Sequence, residues 1–186
     1  GVSIDADGQR FSPFPHIGRR IGRAGARMSA PNRNEGTVGQ PDTPYGFEVT
    51  LEASADAVRA ALGHIRTELA DRGLSQENLE IVELVLAETL NNVVEHAYAG
   101  LPQAGLIGVR GAYAPDDLRF RITDLGKPMP GFTLPPGEAF DVLKLADELP
   151  EGGFGWSLIR LLSCELEYSR TGDMNLLALR IPLAAG

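Results

Sequence analysis

Apolar side chains recur every three or four residues between Ser75 and Gly100, which is the pattern of a helix that buries one face. Ser75 is a typical N-cap residue and Gly100 a typical helix stop. The apolar face is formed by Leu79, Val82, Leu86, Leu90, Val93 and Ala97. The pattern predicts a long helix that packs against the core of its domain.

Three polar residues follow another side of this helix. Glu88, Asn92 and His96 are four residues apart, so they lie about 40° apart around the helix axis. The same side carries Ile81 and Val85, which indicates that its first turns are covered. A carboxylate and an amide therefore stand one turn apart in a predicted cleft, and oxygen ligands of this kind suit Mg²⁺. The alternative is an ordinary solvated face, with His96 as a favourable charge near the helix end.

The rest of the pattern predicts strands and two further helices. An alternating strand at 47–52 precedes a helix that runs from Ser54 to about Gly73. Strands at 106–113 and 118–124 are joined by a turn, and strands at about 164–170 and 175–181 follow a helix that begins near Gly153. This order predicts an α+β fold, a two-layer sandwich with a mostly antiparallel sheet and its helices on one face.

Three residues outside the long helix are unusual for their elements. Asp124 falls on the inward row of its strand, where an acid needs a partner. Gly153 and Gly155 stand at the start of an aliphatic helix, where backbone N–H groups can hold an anion, although a tight turn would also explain them. The proline-containing connection from Gly126 to Gly153, with a short helical pattern at 139–149, is predicted to be a functional lid.

Composition separates a tail from a body. Residues 1–45 are rich in glycine, proline and arginine and poor in large aliphatic side chains, so we expect a tail there and one domain at 46–186. The net charge of -8 argues against direct nucleic-acid binding. No apolar run approaches the ~20 residues of a membrane span, so we expect a cytoplasmic protein without a membrane contact. The single cysteine, Cys164, is expected to be a buried, inert thiol.

The chain carries three motifs in a fixed order: Glu88-x-x-x-Asn92-x-x-x-His96, then Asp124-x-Gly126, then Gly153-x-Gly155 before an aliphatic helix. These motifs in this order resemble the GHKL ATPase superfamily, whose domains have the Bergerat-type ATP-binding fold. Within the superfamily, the runs AETLNNVVEHAY and GGFGWSLIRLLSCELEYSR resemble the anti-sigma-factor serine/threonine kinases of RsbW type. The resemblance extends over about residues 47–183.

The resemblance implies a role for each matching residue. Glu88 would be the general base for phosphoryl transfer, and Asn92 would be the magnesium ligand. Asp124 would accept a hydrogen bond from the adenine amino group, and Gly126 would allow close approach of the base. The other nucleotide-binding positions would be His96, in a supporting role, and Gly153, Phe154 and Gly155 at the phosphates.

The resemblance also implies an activity, with ATP and Mg²⁺ as cofactors. The protein would phosphorylate a serine of a small STAS-like anti-anti-sigma antagonist and bind or sequester a sigma factor or another regulator, and a homodimer is compatible with this role. The alternative is a non-catalytic ATP-binding module that sequesters the regulator. Three acids of the lid near the phosphate glycines would repel ATP unless they point outward, which counts against turnover more than against binding; they are Asp147, Glu148 and Glu151. A histidine sensor kinase is disfavoured because no dimerisation helices precede Phe47.

Overall fold

A computed structural model describes residues 2–3, 46–102, 105–135 and 154–184 of the protein. The side chains of residues 2, 3 and 154 lie outside this description. The elements in chain order are β1 (Val2–Ser3), β2 (Phe47–Glu52), α1 (Ala55–Asp71), α2 (Gln76–Asn92), a π-helical turn (Val93–Ala97), β3 (Leu106–Tyr113), β4 (Asp117–Asp124), a 3₁₀ turn (Pro130–Phe132), α3 (Phe154–Leu162), β5 (Glu165–Thr171) and β6 (Met174–Pro182).

The strands form one sheet in the order β1-β2-β3-β4-β6-β5. β1 pairs parallel to β2, and every other neighbouring pair is antiparallel. In β4, Leu118, Phe120 and Ile122 are almost completely buried, while the arginines between them are partly exposed. This alternation is expected when one face of a sheet is covered. The predicted α+β sandwich with helices on one face is confirmed.

Helix α2 lies at the centre of the helical layer. Its N-cap Ser75 accepts a hydrogen bond from the Asn78 N–H, and all six residues of the predicted apolar face are buried. Val85 on the polar side is also fully buried, so the prediction that this side is covered over its first turns is confirmed. This side of α2 is covered because the helix contacts both α1 and α3.

The end of α2 widens into a π-helical turn. The Tyr98 N–H donates to the Val93 carbonyl oxygen five residues earlier, at 3.3 Å. Gly100 then has a φ of 69°, a left-handed conformation that ends a helix at little cost only for glycine. Such wide turns are frequent at functional sites. Here the turn begins directly after Asn92.

One prediction about the body was wrong. Cys164 is exposed and precedes β5, which begins at Glu165, so it does not face the core. Its backbone N–H donates to the Arg180 carbonyl oxygen, which places it in the bend that joins α3 to the sheet.

The structure leaves several predicted features untested. The lid helix, the three lid acids and Gly153 lie outside the described residues, and so does most of the tail. Within the described part of the chain, no helix is long and apolar enough to cross a membrane.

Candidate functional site

Glu88 and Asn92 face the beginning of α3. A Cβ atom added at Gly155 would come within 2.6 Å of the Glu88 carboxylate oxygen Oε2 and 3.4 Å of the Asn92 amide nitrogen. Glycine at the second position of α3 therefore leaves room for these two side chains, which are both only partly buried. The carboxylate and the amide, one turn apart on α2, thus lie against the N-terminal end of α3.

The Asn92 side chain has an unused polar group. Its amide nitrogen is buried and has no hydrogen-bond partner within the described residues, and a buried polar atom without a partner costs free energy. An amide nitrogen donates hydrogen bonds and does not bind a cation, so this group suits an acceptor such as a phosphate oxygen. The oxygen of the same amide is the type of hard ligand that Mg²⁺ takes, so Asn92 fits a site for this ion. Within the described residues, no three His, Cys, Asp or Glu side chains could hold a metal by themselves. A magnesium ion at Asn92 would thus share its coordination with ligand oxygens such as those of phosphate.

A cavity of about 520 Å³ opens along the end of α2. Its volume lies in the ~300–1,000 Å³ range of pockets that bind small molecules. Most of its wall is apolar, and its lining includes Asn92, His96, Asp124, Lys127, Trp156 and Tyr168. The cavity therefore brings three of the predicted site residues to one surface. His96 is among them and is exposed, and its supporting role stays a prediction.

Asp124 is the buried acid of this cavity, with only 7% of its surface exposed. Its oxygen Oδ1 accepts two hydrogen bonds, from the Gly126 N–H and from the Asn175 amide, each at 2.8 Å. Burial raises the pKa of the Asp124 carboxyl above its ordinary value, against the opposing effects of these two donors and of the Arg170 charge. The partner that an inward acid requires is thus present.

Gly126 has a packing role of its own. A Cβ atom there would lie 2.7 Å from both the Cβ and the carbonyl oxygen of Ala97, so only glycine fits against the end of α2. The next residue, Lys127, donates its backbone N–H to that carbonyl oxygen at 2.8 Å. The structure therefore places the Ala97 backbone against Gly126. The implied approach of a nucleotide base to Gly126 stays a prediction.

The phosphate-side motif is described in part. Phe154 is the first residue of α3, Gly155 is the second, and Gly153 lies outside the described residues.

Sequence reasoning missed three residues that surround Asp124, namely Tyr168, Arg170 and Asn175. Asn175 is 3% exposed and lies directly opposite Asp124 in the pairing of β4 with β6. A polar residue on the same row as Leu177 and Leu179 was the signal that could have identified it.

Comparison with known proteins gives three results. Residues 51–181 match the histidine kinase-like ATPase domain family. The serine-protein kinase RsbW of Halalkalibacterium halodurans is 30% identical over 135 residues, which cover 70% of this chain and 77% of that protein. The structure of the RsbU and RsbW domains of Rv1364c from Mycobacterium tuberculosis has a TM-score of 0.53 and 21% identity. That alignment covers 75% of this chain and 33% of the other, and at this identity it supports the fold alone.

Proposed function

This chain belongs to the histidine kinase-like ATPase family, with the serine-protein kinase RsbW among its relatives, and on that basis we propose that it is an ATP-dependent serine kinase. Its substrate would be a small STAS-like antagonist protein, and its regulatory partner a sigma factor or a protein of similar role. Family membership supports the use of ATP. The transfer to serine and the two partners are the proposal.

Within the structure, the observation that supports the proposal most directly is the meeting of Glu88, Asn92 and Gly155. A carboxylate and an amide converge on the N-terminal end of α3, where a Cβ atom would collide with the carboxylate. Helix N-termini attract phosphate groups, because their free backbone N–H groups point at the ligand. A base beside a phosphate site is the arrangement that phosphoryl transfer requires.

The chemical step can be assigned to these residues. Glu88 would accept the proton of the substrate serine hydroxyl while the serine oxygen bonds to the γ-phosphorus. The bond from that phosphorus to the β,γ-bridging oxygen would break in the same step, and ADP would leave. Asn92 and the N-terminal end of α3 would hold the phosphates in line. Bound magnesium would neutralise the phosphate charge during this step.

The end of the cavity near Asp124 would select the adenine ring of the nucleotide. Asp124 has one oxygen occupied by two donors, and its second oxygen would accept a hydrogen bond from the adenine amino group. The largely apolar wall, which includes Trp156 and Tyr168, suits the faces of an aromatic base.

Transfer of label decides between the kinase and a module that only binds ATP. The purified chain would be incubated with γ-labelled Mg-ATP and with each STAS-like protein encoded near its gene. We expect label to appear on a serine of one of them. Binding of ATP without transfer to any of these proteins would favour the sequestering module, and no binding of Mg-ATP at all would contradict the proposal.

A further inference from the structure

Asn175 occupies the centre of a buried hydrogen-bond network beside the cavity. Its amide group donates to the Asp124 carboxylate at 2.8 Å, to the Lys127 carbonyl oxygen at 3.1 Å and to the Gly126 carbonyl oxygen at 3.3 Å. Its side-chain oxygen accepts from the Tyr168 hydroxyl at 2.7 Å and from the Arg170 guanidinium at 2.6 Å. The amide therefore uses all of its donors and acceptors.

The partners fix the orientation of this amide. Its nitrogen faces a carboxylate and two carbonyl oxygens, and its oxygen faces a hydroxyl and a guanidinium. Turning the amide over would place N–H groups against the Arg170 guanidinium and an oxygen against the Asp124 carboxylate. Both contacts are unfavourable, so the network has one arrangement.

The same network holds the segment that follows β4. The Tyr168 hydroxyl accepts a hydrogen bond from the Met129 N–H at 3.1 Å, and Arg170 donates to the Gly126 carbonyl oxygen at 3.1 Å. Met129 and Lys127 line the cavity, as do Tyr168 and Asn175 themselves. Two strands at the far edge of the sheet are therefore tied to the wall where Asp124 lies.

We infer that Asn175 is a specificity-positioning residue: with Tyr168 and Arg170 it orients the Asp124 carboxylate so that one oxygen, Oδ2, is left for a ligand amino group. The inference rests on the proposed function, because it concerns the same nucleotide site. It assigns a role in the recognition of adenine to three residues, Asn175, Tyr168 and Arg170, which act on the adenine ring through Asp124.

The inference concerns the discrimination of adenine from hypoxanthine. Adenine presents an amino donor where hypoxanthine presents a carbonyl oxygen, so an ionised Asp124 accepts from the first and repels the second. A protonated Asp124 could instead donate to the carbonyl oxygen of hypoxanthine. Burial already favours the protonated form by raising the pKa of Asp124, and the Asn175 hydrogen bond and the Arg170 charge oppose this effect. Loss of Asn175 should thus relax the preference for adenine.

The test compares ATP with inosine triphosphate by calorimetry on the full chain, for wild type, Asn175→Ala and Tyr168→Phe. We expect the wild type to prefer ATP. A hydrogen bond to a charged group is worth about tenfold in an equilibrium constant, so Asn175→Ala should lower the ratio of the two affinities on the order of tenfold. Tyr168→Phe keeps the ring and loses the hydroxyl, so it should lower the ratio by a smaller factor. In Asn175→Ala, the fall in ATP affinity on acidification should also begin at a higher pH.

Asn78 supplies a matched control. It is a buried asparagine whose side-chain amide donates to the Ala184 carbonyl oxygen at 3.3 Å and accepts from the Ala184 N–H at 3.0 Å. It does not line the cavity. Asn78→Ala should lower the melting temperature and leave the ratio of ATP to inosine triphosphate affinity unchanged. An equal fall of this ratio in Asn78→Ala would show that general loosening explains the effect, and it would overturn the inference.

The remaining outcomes are also decisive. A wild type that binds ATP in preference to inosine triphosphate, with the same ratio in Asn175→Ala and Tyr168→Phe, overturns the inference and leaves the proposed function standing. A wild type that binds neither nucleotide overturns both. If Asn175→Ala does not fold, the ratio measured for Tyr168→Phe decides alone.

Discussion

Asp124 lies on the inward row of β4, where the preceding inward positions are Ile122, Phe120 and Leu118. A carboxylate in such surroundings loses hydration, so it destabilises the fold unless its partners compensate. Burial remains the largest influence on its pKa, which is raised despite the two hydrogen bonds and the nearby guanidinium. The residue is therefore retained at a cost to stability, as is common for residues that serve a ligand.

We expect Asp124→Asn to keep or increase the stability of the ligand-free protein at pH 7. An acid whose pKa is raised on folding destabilises the folded state above that pKa, and the effect disappears below the pKa of the unfolded chain, about 3.9. The wild type should thus approach the stability of Asp124→Asn as the pH falls from 7 towards this value. The asparagine oxygen can still accept from Gly126 and Asn175. Urea unfolding at several pH values measures the difference, and a less stable Asp124→Asn at pH 7 would contradict this account.

The need for a partner at Asp124 could be predicted from strand alternation, but the identity of the partner could not. Asn175 is opposite Asp124 because β4 pairs with β6 in one register, which many long-range contacts determine together. The local pattern marks Asn175 as a polar residue on an inward row, but it does not say which residue lies opposite. The same limit applies to the Ala97 backbone, whose contact with Gly126 depends on how two distant segments approach.

Among the elements, α2 was the most predictable because its apolar period is long and regular. The π-helical turn after Asn92 could not be predicted, since it depends on how the helix end meets the loop at Lys127, whose N–H donates to Ala97. The error at Cys164 came from a strand boundary placed one residue too early, which is within the usual uncertainty of such boundaries.

The meeting of α2 with α3 can be tested by Gly155→Ala. The new Cβ would lie 2.6 Å from Glu88 Oε2, the end of a flexible side chain that can move aside. Alanine also has about 1 kcal/mol better helix propensity than glycine. We therefore expect a melting temperature close to that of wild type together with reduced Mg-ATP affinity and phosphotransfer, since the Glu88 carboxylate is displaced into the phosphate site.

Gly63→Ala in α1 is the matched control, because nothing lies within 4 Å of its new Cβ. It should raise the melting temperature by about 2–4 °C per kcal/mol gained and leave Mg-ATP affinity unchanged. Wild-type phosphotransfer in Gly155→Ala would show that this glycine is a packing residue of the α2–α3 contact only.

The described residues of the body form one core between a sheet and a helical layer, and an arginine-rich segment precedes them in the sequence. Residues 1–45 carry six arginines against four acids, whereas the chain as a whole is at -8. Within the described residues, this segment contributes the β1 pairing of Val2 and Ser3 with Val49 and Thr50 on the edge of the sheet. A two-residue pairing adds little to a core of this size.

Deletion of residues 1–40 should therefore leave the melting temperature within about 4 °C of the full chain, which corresponds to roughly 1–2 kcal/mol. Differential scanning calorimetry of both proteins makes the comparison. A larger fall would mean that the segment docks on the domain through contacts beyond this pairing.

Glu88→Gln tests the role of Glu88 as the base in phosphoryl transfer, because glutamine keeps the size and hydrogen-bonding reach but loses the charge that accepts a proton. ATP affinity and single-turnover transfer to the serine substrate would be measured for both proteins. A positioned base contributes roughly 10²- to 10⁴-fold, so we expect transfer to fall by about this factor while ATP binds at least as well as before. Parallel loss of binding and transfer would identify a structural carboxylate, and unchanged transfer would contradict the assignment of Glu88 as the base.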